Sequence, residues 1–251
     1  MDYRSKARRA WLRLVALGVA VAAIVVGGGV LAVNSAGDSA SSAPRTKPSS
    51  GRSKANGPAP GGKRYTPATA RSARIVKPRS AKNGIGIDFP HTAVGATSAA
   101  VSYWTDLSYI DDQAAERQLR TIAVSPSDPV VRDMVSSVRK LRESVGLPPS
   151  GGPPNEITFT TQVKAVQARS LDSQGNVIGV WMNFDRYATI PDKESGGPLK
   201  DQQDYLIVTW RDGDWKVTQA PEWERKLPEP RSYDPDSFAA FEDGWREVTN
   251  V

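Results

Sequence analysis

The longest apolar stretch of the chain comes first. Leu14 to Val33 (LVALGVAVAAIVVGGGVLAV) runs 20 residues without a charge. As a helix it would rise roughly 30 Å, the depth of a bilayer's hydrocarbon core. Arg4, Lys6, Arg8, Arg9 and Arg13 precede it, which by the positive-inside rule predicts a cytoplasmic N-terminus, residues 1–13. Small residues follow (Ser35, Ala36, Ser39, Ala40), as they would after a cleavable signal peptide. Signal peptides, however, use apolar cores of about 7–15 residues. The reading is a single uncleaved transmembrane helix over 14–33.

From Asn34 to Asp88 the pattern disappears. This stretch is Ser, Ala, Gly, Pro, Lys and Arg with few large apolar side chains, and it holds 11 basic residues against Asp38 and Asp88. Too little apolar surface is available to offset the entropy of ordering it, which predicts a disordered basic linker of roughly 40 Å span. It would tether a domain outside the membrane and contact polyanionic wall polymers or lipid headgroups, or serve only as a solubilising spacer.

Helical periodicity begins near Thr92, a side chain suited to an N-cap. Ala93, Ala96, Ala99, Ala100, Tyr103, Trp104 and Leu107 follow at helical spacing. A second helix is predicted over Asp111 to Ile122. A third opens at Ser127-Asp128-Pro129, with Val131, Met134, Val135, Val138, Leu141 and Val145 along one side, closing at Gly146. After a Pro/Gly loop the period changes from 3.6 to 2. Strands are predicted from Ile157 to Ala165, from Val177 to Thr189, around Leu206–Arg211 and around Trp215–Thr218, the last two joined by an Asp212-Gly213 turn. A polar loop is expected over Pro191 to Gln203. Three helices packed on a four-stranded antiparallel sheet, with the other sheet face wet, is an α+β domain over 89–220. The tail, 221–251, has apolar residues at Phe238, Phe241, Trp245 and Val248; it reads as a short helix capped at Asp234 or Asp236 that packs back onto the domain or frays, with a partner-binding helix as the alternative.

Charge divides the chain at the same place. Residues 1–88 hold 16 Lys/Arg against 3 Asp/Glu, and residues 89–251 hold 17 against 24, so the net +6 conceals an acidic domain. Direct nucleic-acid binding is therefore not expected of the domain. The absence of cysteine excludes a thiolate nucleophile, a disulfide scaffold and Cys-ligated metal, and the single histidine, His91, excludes a multi-histidine centre. No nucleophile elbow, phosphate loop or dinucleotide fingerprint occurs, and the Asp111-Asp112, Asp212/Asp214 and Glu242-Asp243 pairs fall where helix starts and turns place acids. No catalytic residue, cofactor or metal is assigned. Seven tryptophans suggest a sheet–helix core, or a pocket lined by Trp104, Trp181 and Trp210. An enzyme of this layout would have only Asp106, Asp185 or Tyr187 to work with.

Two segments carry a resemblance. One is the small-residue helix that starts from Phe89, Pro90, His91 and Thr92 and runs through Gly95, Ala96, Ala99 and Ala100 to Tyr103. The other is the hairpin from Tyr205 through Trp210 to Asp214, Trp215, Lys216 and Val217. With the anchor and linker, the chain resembles the membrane-anchored nuclear-transport-factor-2-like domains of bacterial conjugation and type IV secretion machinery, notably the small conjugal transfer proteins of high-GC Gram-positive bacteria. The resemblance covers roughly residues 90–220 and the anchor. It implies a cone-shaped fold and a single-pass scaffold of the cell membrane, whose extracytoplasmic domain assembles with other envelope-complex subunits or with itself. The alternative is a lipid- or small-ligand-binding accessory domain of a transport system, since the same fold hosts several functions.

Overall fold

A computed structural model describes residues 64–144, 147–153, 158–189 and 199–249. The predicted anchor, Leu14–Val33, and the first part of the linker lie outside the described residues, among which no helix is long and apolar enough to cross a membrane. The elements are β1 (Ser80–Lys82), β2 (Ile85–Ile87), α1 (Ala93–Asp106), α2 (Asp112–Ile122), α3 (Pro129–Ser144), β3 (Thr158–Ser170), β4 (Val177–Thr189), β5 (Leu199–Arg211), β6 (Asp214–Thr218), α4 (Pro221–Glu224), α5 (Phe238–Glu242) and β7 (Arg246–Glu247). The class is α+β, built on a five-stranded antiparallel sheet in the order β6-β5-β4-β3-β7.

The helix starts follow from their caps. Thr92 Oγ1 accepts the Gly95 N–H, and Asp111 Oδ1 accepts the N–H groups of Gln113 and Ala114. Asp128 does the same for Val130, one residue beyond Pro129. Ala96, Ala99 and Ala100 are fully buried, so α1 lies close across the sheet, against Val163, Val166, Val180, Met182, Phe184 and Val208. Tyr103 hands its hydroxyl proton to the Trp215 carbonyl at 2.7 Å and Trp215 donates to Pro90 O at 2.9 Å, which fastens the start of α1 to the β5–β6 hairpin.

Four expectations are corrected. First, residues 64–88 belong to the fold. Asn83 and Gly84 both have positive φ and form the tight turn of the β1–β2 hairpin, and Ile85 is fully buried. Ala73 and Val76 are held by hydrogen bonds to Glu247 O and Ser98 Oγ, at 2.7 and 2.9 Å. Reading only the scarcity of large apolar residues overlooked what a few well-placed small ones can bury. Second, the sheet has five strands, because the tail returns to add β7 beside β3 at Ala165 and Val166. Third, β5 begins at Leu199, so the end of the expected loop is strand. Fourth, the second sheet face is covered. Residues of the tail bury Trp181, Tyr205 and Ala165 beneath Trp245, Ala240 and Leu227. Leu227 sits so close that a Cβ on Gly179 would meet its Cδ1 at 2.4 Å.

Candidate functional site

Two places carry unusual chemistry. The first is inside the helix-covered face, at the far end of β4. The alternation that turns Ile178, Val180, Met182 and Phe184 toward the helices turns Arg186 inward as well, where it is 7% exposed. Its guanidinium lies 4.1 Å from the centre of the Tyr109 ring, 5.2 Å from Phe184 and 6.0 Å from Trp104, an aromatic box around a cation. Arg186 Nε donates to Thr161 Oγ1 at 3.2 Å, but Nη2 has no partner, and neither has the buried Nε1 of Trp104. Tyr109 donates its hydroxyl to Trp104 O at 2.8 Å, and burial pushes its pKa up to about 12.

Asp204, on β5 opposite Met182, is 4% exposed and faces the same interior. Burial pushes its carboxyl up to about 7, against the opposing pull of the Tyr205 N–H it accepts and of the Arg186 charge. A buried guanidinium and a buried carboxyl, held near one another without ion-pair contact, leave part of each group's hydrogen-bonding capacity unspent.

The second place is an open groove of about 460 Å³ at the β3 edge of the sheet. One wall is α1 (Ser98, Val101, Ser102, Thr105, Asp106), the other the extended segment Ile75–Pro78, and the floor is Thr160–Val163 of β3 with Tyr187, Val248 and Thr249. Asp106 accepts the Ser102 hydroxyl at 2.7 Å, and partial burial raises its pKa despite that hydrogen bond. Among the described residues the outer side of β3 meets β7 at Ala165 and Val166 and takes the Val248 N–H at Lys164 O, although the strand is 13 residues long.

The residues singled out from sequence scatter. Trp104 is in the interior box. Trp181 is on the opposite face, its ring tilted 49° against Tyr205 at 4.8 Å and its indole N–H donating to Pro228 O. Trp210 is at the hairpin, where the His91 ring stacks on it at 4.2 Å and 7° while His91 Nε2 meets Asn176 Oδ1 at 2.8 Å. The three tryptophans therefore do not line one pocket, and none of them lines the groove. Asp106 and Tyr187 do meet there. Asp185 is on the tail-covered face, bound to the Lys164 ammonium at 2.8 Å and to the Asp201 N–H at 2.9 Å. Among the described residues no cluster of three potential metal ligands forms. Arg186 and Asp204 escaped the sequence reading, although both continue inward-facing strand phases that hydrophobic residues had already marked.

Compared with protein-family models, with curated proteins and with solved structures, the chain finds no match in any of the three.

Proposed function

We propose that this protein is a bitopic membrane scaffold. In this reading Leu14–Val33 crosses the cell membrane once with the N-terminus cytoplasmic, and the folded domain stands outside it. There the domain binds other subunits of a conjugative-transfer or secretion complex, or further copies of itself, and carries out no catalysis. The finer fold, a nuclear-transport-factor-2-like cone, is part of the same proposal. It is supported by three helices preceding an antiparallel meander and by α1 lying across that sheet, with β7 and the extended segment over residues 64–88 as additions.

The observation that carries the reading is the open edge of β3. Thr158, Phe159, Thr160, Thr161, Gln162 and Val163 are β-prone and uncharged, and the last four form the floor of the groove. Among the described residues no strand pairs with the outer side of Thr158–Gln162 and the stretch holds no lysine or proline, which is the kind of edge on which a partner strand adds through main-chain hydrogen bonds. The test is photo-crosslinking in cells from positions 162 and 187 of the full chain, with position 117 on α2 as the comparison, followed by mass spectrometry. Capture of channel subunits, a transfer ATPase or a second copy from 162 and 187 but not from 117 is expected. Equal capture from all three positions sinks the reading. Capture of envelope lipids or transporter subunits would favour the accessory-domain alternative, for which the unpartnered Arg186 Nη2 and Trp104 Nε1 speak.

A further inference from the structure

The segment that closes the groove carries a second pattern. From Arg71 to Lys77 exposure repeats every three residues. Arg71, Arg74 and Lys77 are exposed, while Ser72, Ala73, Ile75 and Val76 between them are half-buried. A strand would alternate every two. A three-residue repeat belongs to polyproline-II-like chain, with about 3.1 Å per residue, so the three cations stand about 9 Å apart along one ridge. The ridge is pinned from beneath by Ala73 N–H to Glu247 O, by the Ala73–Val248 bridge and by Val76 N–H to Ser98 Oγ. Arg79 and Lys82, both exposed, extend it.

None of these five cations makes an ion pair among the described residues. The sequence from Thr66 to Ile87 holds no Asp or Glu, while the remainder of the domain is acidic. An acidic fold that holds a line of unneutralised cations on its surface keeps that charge available for an outside partner. The stretch itself has no aromatic residue on which successive bases could stack along the row of cations. We infer that the ridge Arg71–Lys82 binds a linear, base-free polyphosphodiester of the polyol-phosphate kind, laid along the row of cations. The ridge shares Lys77 with the wall of the groove, but the inference needs no strand added at the β3 edge, so its failure leaves the scaffold reading standing.

The experiment uses the full chain in neutral detergent micelles and fluorescently labelled poly(glycerol phosphate), with anisotropy measured over a salt series. The Arg71→Gln/Arg74→Gln/Lys77→Gln protein is expected to bind roughly 10- to 100-fold more weakly at low salt, with a salt slope smaller by about 2. Arg45→Gln/Arg52→Gln/Lys54→Gln, which removes the same charge from the preceding linker, is expected to cost about threefold or less. Because the ridge side chains are exposed, thermal unfolding of the first variant should match the parent, which separates lost binding from lost fold. Equal losses in the two variants would overturn the inference, as would no binding by the parent. It is likewise overturned if single-stranded DNA, or phosphatidylglycerol mixed into the micelles, displaces the polymer at equal phosphate concentration.

Discussion

On the tail-covered face of the sheet, Trp181 and Trp245 each donate the indole N–H to a backbone carbonyl, Pro228 O at 3.1 Å and Arg231 O at 2.8 Å. The groups left over there are two neutral amide oxygens, of Gln167 and Asn183. On the helix-covered face Trp104 finds no acceptor, the Arg186 guanidinium has a nitrogen without a partner, and Asp204 is buried beside them. The sheet is the same and Trp104, Trp181 and Trp245 are all buried. The difference is that the irregular tail brings a free carbonyl to each indole on its face, whereas the Trp104 carbonyl at the end of α1 already accepts the Tyr109 hydroxyl. The tail face is built as a structural seal. The helix face buries charge at a cost that only a bound group or a retained functional constraint would offset.

The largest expected effect breaks the seal. Trp245 is fully buried and, with Ala240 and Leu227, covers the sheet's second face. Trp245→Ala should lose about 3–5 kcal/mol of unfolding free energy, measured by denaturant titration and circular dichroism. A loss below about 1 kcal/mol would mean that the tail is not part of the cooperative fold.

The next effect concerns the buried carboxyl. Asp204 titrates near 7 in the fold and near 3.9 in an unfolded chain. Between those values the folded protein keeps a proton that the unfolded chain has released. The favourable contribution is therefore complete below about pH 4 and is lost as pH rises toward 7. Asp204→Asn stays neutral throughout. Above pH 7 it should be more stable than the parent by roughly 2–4 kcal/mol, with a flatter stability–pH profile. Identical profiles would show that Arg186 keeps Asp204 ionised, making the two a working ion pair.

Much of the fold was legible because its signals are local. The Thr92, Asp111 and Pro129 helix starts, the β4 span and the Asp212-Gly213 turn follow from caps, alternation and turn chemistry within a few residues. What escaped depends on distant partners. The Asn83-Gly84 hairpin was written in the sequence, yet its basic, small-residue surroundings read as disorder. Contacts far along the chain show why the segment is ordered: Val76 with Ser98, 22 positions away, and Ala73 with Glu247. Arg186 and Asp204 sit in phase with the apolar faces of β4 and β5. A charged residue breaks a hydrophobic pattern and so reads as that pattern's end. That the tail packs back was expected, but where it lands could not be read from its own composition, since its partners lie on distant strands: Trp181 donates to Pro228 O, 47 positions on, and Leu227 lies against Gly179.

The smallest effect sharpens the comparison most directly. Replacing tryptophan by phenylalanine removes a similar slice of ring on either face but a different polar contact. Trp181→Phe leaves the Pro228 carbonyl without its donor in a part-buried position and should cost about 1 kcal/mol beyond the lost ring area. Trp104→Phe removes an N–H that has no partner, so only the area is lost, and the saved desolvation of that group offsets part of it. Denaturant unfolding of the two variants should therefore place Trp104→Phe as the milder. If Trp104→Phe proves the costlier in protein taken directly from cells and the milder after refolding from denaturant, its indole N–H is holding something that purification by refolding removes. The aromatic box around Arg186 would then be an occupied binding site and not merely the untidier side of a core.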